Sequence, residues 1–539
     1  MDNSNPGECL ERNTDWDWRI GTGTHASGIS SLHRLDRTTI SMAHLQALVT
    51  KKFGDDPITA ALFALAGDSL VYLAGAAVIG LGNFVLVPLY TRYLVPAEFG
   101  VYALLDVTIL IFVTVTQLGF GVSYLKWFAD IEPSRRGELL GSTLAVGALA
   151  ATIGGVLLAL AVAGPLGERW LQTGDRGFAW TLLPLVVLEN LQGLLLTDLR
   201  ARRRAVAFSV SALVRLLAIV GASLCFIAVQ KQGVTGVFTG RLVGDGIGVL
   251  LLAIFCLRST TLRLEWSMVK PMVRYGLPLV WSGLMGMMLD ASGRYFLSHS
   301  STLEQVGFYG VAIKIGNIFQ MLVNQPFGVA WGGLMFQIVK WPNARVVYSK
   351  ILAYVFALSL AAALILTLFT PTLFAIFATA AYFPAMAVFP LILLVRAINL
   401  MEYPTSIGIY LAGRTKWFAL IYSVGLAVNL LANCALTPVY GMFGAAWSWL
   451  AAWLVITGLM AWLGQRYYPL CYDWKLLLVP IVPWGFVLLG QRGLVSVLVN
   501  AHWPVQILLA LAVILSVGVL LIQDLSATRK RILLSKASQ

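Results

Sequence analysis

Between Ser69 and Gln523 an apolar stretch long enough to cross a bilayer recurs about fourteen times, and basic residues gather in every second gap. A helix needs roughly 20 apolar residues to span the hydrocarbon layer. On that ruler the spans fall near 69–90, 99–123, 139–163, 178–198, 205–229, 233–257, 276–297, 305–336, 351–377, 384–411, 416–438, 442–464, 474–491 and 503–523. The stretch 305–336 is long enough to be kinked or strongly tilted. Strands of a membrane barrel would be about half as long and would alternate in polarity, so the spans read as helices. Charged residues make up 12% of the chain and hydrophobic residues 58%, and the mean hydropathy is +0.80. A soluble domain carries about a quarter charged residues. Such a chain cannot bury its apolar surface in one aqueous core, and the expected class is an all-α polytopic membrane protein.

The gaps set the expected orientation. One side holds Lys126, Arg135 and Arg136; Arg200, Arg202, Arg203 and Arg204; Arg258, Arg263, Lys270 and Arg274; Lys340, Arg345 and Lys350; Arg414 and Lys416; Arg466 and Lys475. The other side holds only Arg92, Arg169, Arg176, Lys231 and Arg492. Lys51 and Lys52 precede the first span, and Arg529, Lys530, Arg531 and Lys536 follow the last. The positive-inside rule therefore puts both termini in the cytoplasm, which requires an even number of spans. The net charge of +13 needs no nucleic acid, because basic loops beside anionic lipid headgroups account for it. Cys225, Cys256 and Cys434 lie inside spans and no C-x-x-C pair occurs, so the cysteines read as packing residues. Residues 1–60 are polar, lack the apolar run of a signal peptide and read as a disordered tail, with Met42 as an alternative start.

An internal repeat is expected on two matches. Glu98-Phe99-Gly100-Val101-Tyr102 parallels Gln305-Val306-Gly307-Phe308-Tyr309 at an offset of 207, and Gly233-Val234-Thr235-Gly236 parallels Gly441-Met442-Phe443-Gly444 at 208. An offset of six spans keeps both halves in one orientation, so the expected layout is two six-helix lobes at 65–257 and 275–465. A linker at 258–274 joins them, two added helices occupy 466–523, and a basic tail occupies 524–539.

The stretch from Gly82 to Tyr102 (GNFVLVPLYTRYLVPAEFGVY) resembles the opening segment of bacterial polysaccharide flippases of the O-antigen type. Gly413-Arg414-Thr415-Lys416 leading to Asn429, Asn433, Pro438, Tyr440-Gly441 and Gly444-Ala445-Ala446 is similar to that family's eleventh and twelfth helices. Tyr275-Gly276-Leu277-Pro278 resembles the start of its second lobe. The likeness covers about residues 65 to 465, within a superfamily that also holds lipid II flippases and multidrug–cation antiporters. It implies alternating access, a cavity lined by helices 1, 2, 7 and 8, and a polyprenyl-diphosphate-linked oligosaccharide moved from the cytoplasmic to the periplasmic leaflet of a bacterial inner membrane.

Ionisable groups inside spans are functional candidates by default, because a charge in hydrocarbon costs at least about 2.5 kcal/mol. They are Asp106, Glu189, Arg215, Arg241, Asp245, Asp290, Arg294, Lys314, Arg396 and Glu402. Arg241/Asp245 and Asp290/Arg294 stand i,i+4 and are expected to neutralise one another. A diphosphate suits the rigid guanidinium fork. Arg92 and Arg294 are therefore candidate phosphate contacts at the outer mouth, with Lys314 and Arg396 deeper, although snorkelling is the alternative for Arg92. Asp106 and Lys314 fall within one position of each other under the repeat and are a candidate pair across the cavity. Asp106, Glu189 and Glu402 are candidates for coupling to a proton or sodium ion, the former through a carboxyl pKa raised by burial. Trp281, Asn317, Gln320, Asn324, Gln325 and Trp331 suit sugar binding, and Asn317–Gln320–Asn324 forms one polar stripe whose alternative is a helix–helix interface.

Two rivals stand beside the flippase. A multidrug–cation antiporter of the same superfamily wants an essential acid in the first lobe. A membrane glycosyltransferase or polymerase would draw on Asp15-Trp16-Asp17, a D-x-D pattern, but no gap between spans is long enough for a catalytic domain. No covalent chemistry, cofactor or metal is expected. The expected partners are the membrane, a lipid-linked glycan, and a polysaccharide polymerase or export machinery.

Overall fold

The computed structural model describes residues 84–165, 177–257, 264–339, 343–470, 479–489 and 503–537, with 80, 82, 167, 168, 260, 476 and 477 individually. The expected tail at 1–60, most of the first span and both ends of the thirteenth lie outside the described residues. Every regular element among the described residues is helical. In chain order they are α1 (84–93), α2 (Pro96–Thr116), α3 (Phe120–Asp130), α4 (Arg136–Ala163), α5 (Leu182–Ala201), α6 (Ala205–Ser223), α7 (Gly233–Cys256), α8 (Trp266–Ser300), α9 (Leu303–Phe319) and α10 (Gln325–Ile338). Then follow α11 (Ala344–Leu368), α12 (Thr370–Phe377), α13 (Phe389–Leu400), α14 (Glu402–Thr405), α15 (Ile407–Leu411), α16 (Lys416–Tyr440), α17 (Met442–Tyr467), α18 (Ile481–Leu489) and α19 (Trp503–Ala537).

The helices are apolar on the outside. Leu149, Ile153, Leu157 and Leu160 of α4 are each more than half exposed and form one stripe, while Ala151, Leu158 and Ala159 are buried. Small residues at the inner face let neighbouring backbones approach, which is how helices associate when lipid removes the hydrophobic drive between them. Among the described residues ten helical segments are long and apolar enough to cross a membrane, or eleven if the bent pair Ala380–Ala387 and Phe389–Leu411 counts as one. The chain is thus an all-α, multi-pass membrane protein.

Several spans differ in detail from the sequence expectation, the second, seventh and eighth among them. The second breaks at Leu118 and Gly119, both at positive φ, into α2 and α3. The seventh is the 35-residue α8, which carries Pro271 and Pro278 inside it. The eighth keeps its length but passes through a π-helical turn, Gln320–Asn324, between α9 and α10. A π turn is a local register change common at functional positions.

The two segments of the first sequence match lie in direct contact. α2 packs along α9, and Gly100 meets Gly307: a Cβ on Gly100 would overlap the Leu303 carbonyl, and one on Gly307 the Pro96 carbonyl. One turn on, a Cβ on Gly310 would stand 2.8 Å from that of Ala103. The second match agrees. Gly233 and Gly441 both adopt positive φ, +56° and +55°, and each lies against the side chain of a repeat-related residue, Glu98 for the first and Gln305 for the second. Gln305 Oε1 accepts from the Met442 N–H at 3.2 Å.

Gly100→Ala and Gly307→Ala should each destabilise the protein by about 1–3 kcal/mol, the range for overpacking a tight contact. Thermal unfolding in detergent measures this. Gly121→Ala is the control, since nothing lies within 4 Å of its added carbon.

Candidate functional site

Charged side chains from five helices join into one chain of ion pairs. Lys314 Nζ on α9 donates to Asp106 Oδ2 at 2.7 Å and to the Tyr102 hydroxyl at 3.0 Å, both on α2. Arg241 on α7 donates to Asp106 Oδ1 at 2.7 Å and also pairs closely with Glu189 on α5. Arg215 on α6 donates to Asp245 Oδ1 at 2.7 Å and stands 4.0 Å from Glu189. Three bases and three acids balance, and each side chain is no more than a quarter exposed. Burial explains the completeness, because a buried ion is tolerated only when its partners replace its hydration.

A second cluster lies on α8, α9 and α13. Arg396 contacts Asp290 Oδ2 at 3.4 Å and donates to Asn317 Oδ1 at 2.9 Å, and its guanidinium lies 4.8 Å from the Trp449 ring centroid. Arg294 is 8% exposed, yet it makes no hydrogen bond or ion pair among the described residues. Its charge acts on Tyr102, Tyr295 and Tyr309, so it stands between the two clusters. Across both clusters there are five bases (Arg215, Arg241, Lys314, Arg396, Arg294) and four acids (Asp106, Glu189, Asp245, Asp290). The surplus is one positive charge, at Arg294.

Several expectations change. Asp290 does not neutralise Arg294 one turn on: it reaches Arg396 on another helix. Arg241 and Asp245 stand 4.0 Å apart, and the short partner of Asp245 is Arg215. Asp106 and Glu189 are not isolated acids. Among the described residues Glu402 alone of the three candidate coupling acids has no basic partner: it accepts from the Tyr422 hydroxyl at 2.6 Å. Lys314 and Arg396 are already occupied, and the expected pair of Asp106 with Lys314 is present.

The amide stripe behaves as a helix–helix interface. Asn324 Nδ2 donates to Gln320 Oε1, to the Arg396 carbonyl and to Asn399 Oδ1 at 2.9, 3.3 and 3.0 Å. Trp331 is buried against Phe327 and Tyr348, whereas Trp281 is 55% exposed on α8 and Arg92 is exposed on α1. A buried ladder from α8 to α16 was visible in the sequence only as part of the family likeness. Ser292 bonds closely to Asn429, Asn433 donates to Asn429 Oδ1 at 2.9 Å, and Thr437 donates to Asn433 Oδ1 at 2.8 Å. The i, i+4, i+8 spacing of the three α16 residues was its signal.

Residues 65–339, half of the chain, match the family of polysaccharide biosynthesis proteins. The chain belongs to that family. The ion-pair chain, Asp290 and Arg294 all fall within the matched region. The fold is that of the lipid II flippase MurJ in its inward closed conformation, with a TM-score of 0.66 at 10% identity, covering 85% of this chain and 99% of that one. An inward-facing multidrug resistance MATE family transporter of the MOP superfamily aligns with a TM-score of 0.57 at 15% identity, covering 74% and 94%. No curated protein matches the sequence.

Asp106→Asn should destabilise the protein by about 3–5 kcal/mol, since it leaves Lys314 and Arg241 facing a neutral group. Adding Lys314→Met should recover part of the loss. A double-mutant cycle on thermal unfolding in detergent measures the coupling; strict additivity would mean the pair contributes nothing.

Proposed function

We propose that this member of the polysaccharide biosynthesis family moves a polyprenyl-diphosphate-linked oligosaccharide from the cytoplasmic to the periplasmic leaflet of a bacterial inner membrane. Both termini face the cytoplasm, and two six-helix lobes alternate access around the charge clusters. The observation that carries the reading is Arg294, a buried guanidinium with no anion of its own among the described residues, between two groups of paired charges. A buried cation without a counter-ion is costly. A diphosphate arriving between the lobes would supply the missing anion and accept two parallel N–H donors from the planar fork. Arg92 is a secondary contact at the outer end, and Trp281 offers an exposed aromatic face for sugar.

The same surplus argues against a cationic drug as cargo, because a like charge is repelled where a diphosphate is attracted. Glu402, a half-buried carboxyl held by one hydroxyl, is the proposed site of ion coupling, with a proton or sodium ion as the coupling ion. No covalent step is assigned to any residue. A polymerase or export machinery would receive the glycan on the outer side.

Arg294→Ala separates stability from transport. It removes an unpaired charge and orphans no acid, so the thermal midpoint should stay level or rise while transport is lost. Arg294→Lys should recover transport only in part, because an ammonium lacks the fork. The readout is the sidedness of lipid-linked oligosaccharide in cells lacking this chain and complemented with each variant. Cytoplasmic accumulation with loss of surface glycan supports the reading. Normal glycan export with new sensitivity to cationic drugs would move the protein to the antiporter branch.

A further inference from the structure

A cavity of about 560 Å³ opens at the end of the helices that the charge distribution assigns to the cytoplasm, away from the central clusters. Arg136, Arg202, Arg203 and Arg204 line it, with Leu125 and Phe128 as its apolar wall. The guanidinium of Arg136 lies 4.3 Å and that of Arg202 5.9 Å from the Phe128 ring centroid, so one buried ring organises both. Among the described residues Asp198 offsets one of the four charges, held by Arg202 Nε at 2.7 and 2.8 Å and by the Tyr124 hydroxyl at 2.7 Å. Two helices begin at the cavity, α4 and α6, and two end there, α3 and α5. Their dipoles oppose one another, so the side chains decide the sign.

The backbone supplies an independent observation. The turn from α5 to α6 closes with the Arg204 N–H on the Leu199 carbonyl at 2.9 Å and the Arg203 N–H on the Arg200 carbonyl at 3.0 Å. Arg203 sits at φ +54°, in the left-handed position that such helix ends usually give to glycine. The corresponding turn in the second half closes in the same way, with the Arg414 N–H on the Ile409 carbonyl and Gly413 at φ +64°. One half follows the rule and the other places an exposed guanidinium on a strained backbone at the rim of a cationic cavity. Strain kept where glycine would relieve it points to a function for the side chain.

We infer that this arginine-lined cavity is a binding site for a phosphate group at the inner membrane surface, supplied either by an anionic phospholipid headgroup or by a soluble phosphate compound. Guanidinium forks match phosphate oxygens two at a time, and the apolar wall of α3 would receive the first carbons of a lipid glycerol. The site is independent of the transport reading and its readout is binding, so either stands if the other fails.

The test uses the purified full chain in neutral detergent, with dioleoylphosphatidylglycerol, dioleoylphosphatidylcholine or sodium pyrophosphate added, and reads the thermal midpoint. A ligand that binds the folded state raises it by mass action. The expected result is a rise with phosphatidylglycerol or with pyrophosphate that the double variant Arg203→Gly/Arg204→Gln weakens by roughly tenfold in apparent affinity per guanidinium removed. Glycine at 203 relaxes the backbone, so misfolding does not mimic the loss. Arg135→Gln, whose guanidinium pairs with Glu138 at 3.1 Å outside the cavity lining, should keep the full rise. A rise with phosphatidylglycerol alone assigns the phosphate to lipid, and a rise with pyrophosphate assigns it to a soluble source. No rise in the wild type with either phosphate probe, an equal rise in wild type and double variant, or a rise as large with phosphatidylcholine would overturn the proposal.

Discussion

The Asp106 carboxylate, gripped by Lys314 from one side and Arg241 from the other, is the contact on which the centre of this molecule depends. In hydrocarbon an unpaired charge is costly and a paired one is tolerated only with close geometry. Asp106 meets that condition by drawing α2, α7 and α9 to within hydrogen-bonding distance of one carboxyl group. Arg241 extends the demand to Glu189, and Asp245 carries it to Arg215, so α5 and α6 are tied into the same network. Five helices are thereby fixed by electrostatics at a level where lipid gives them no hydrophobic reason to associate.

That network also explains the meaning of Arg294. Every other base in the two clusters has found an acid, so the lone guanidinium stands out against a satisfied background. Asp290 lies only one helical turn away on the same element, yet it turns to Arg396, and Arg396 takes Asn317 and the face of Trp449 as well. The arrangement leaves one charge unanswered among the described residues.

The fold class was legible in the sequence because it follows from span length, which is a one-dimensional property. The glycine matches at 100/307 and 233/441 were legible too, since close approach and positive φ each leave a glycine behind. The pairing of charges was not. Spacing of i,i+4 suggested Asp290 with Arg294 and Arg241 with Asp245, but a buried charge takes whichever partner gives the best geometry, and that partner comes from another helix. The Asn317–Gln320–Asn324 stripe meets a neighbouring helix for a related reason. The face of α9 and the π turn that carries it is turned to α13, and periodicity reveals a polar face without naming what it touches. The cavity at Arg203 had no local signal beyond a run of arginines that the positive-inside rule already explained.

Gly100 against Gly307 and Ala103 against Gly310 bring together residues that the 207-residue offset matches, the kind of contact a two-fold axis makes between equal halves. In a dimer of separate identical chains such a contact is self-complementary, and a charge on the axis would face a copy of itself. Asp106 and Lys314 stand within one position of that register and carry opposite signs. Matched segments within one polypeptide can differ where identical subunits cannot. Beside the glycine contact that freedom places an attractive pair, Asp106 with Lys314.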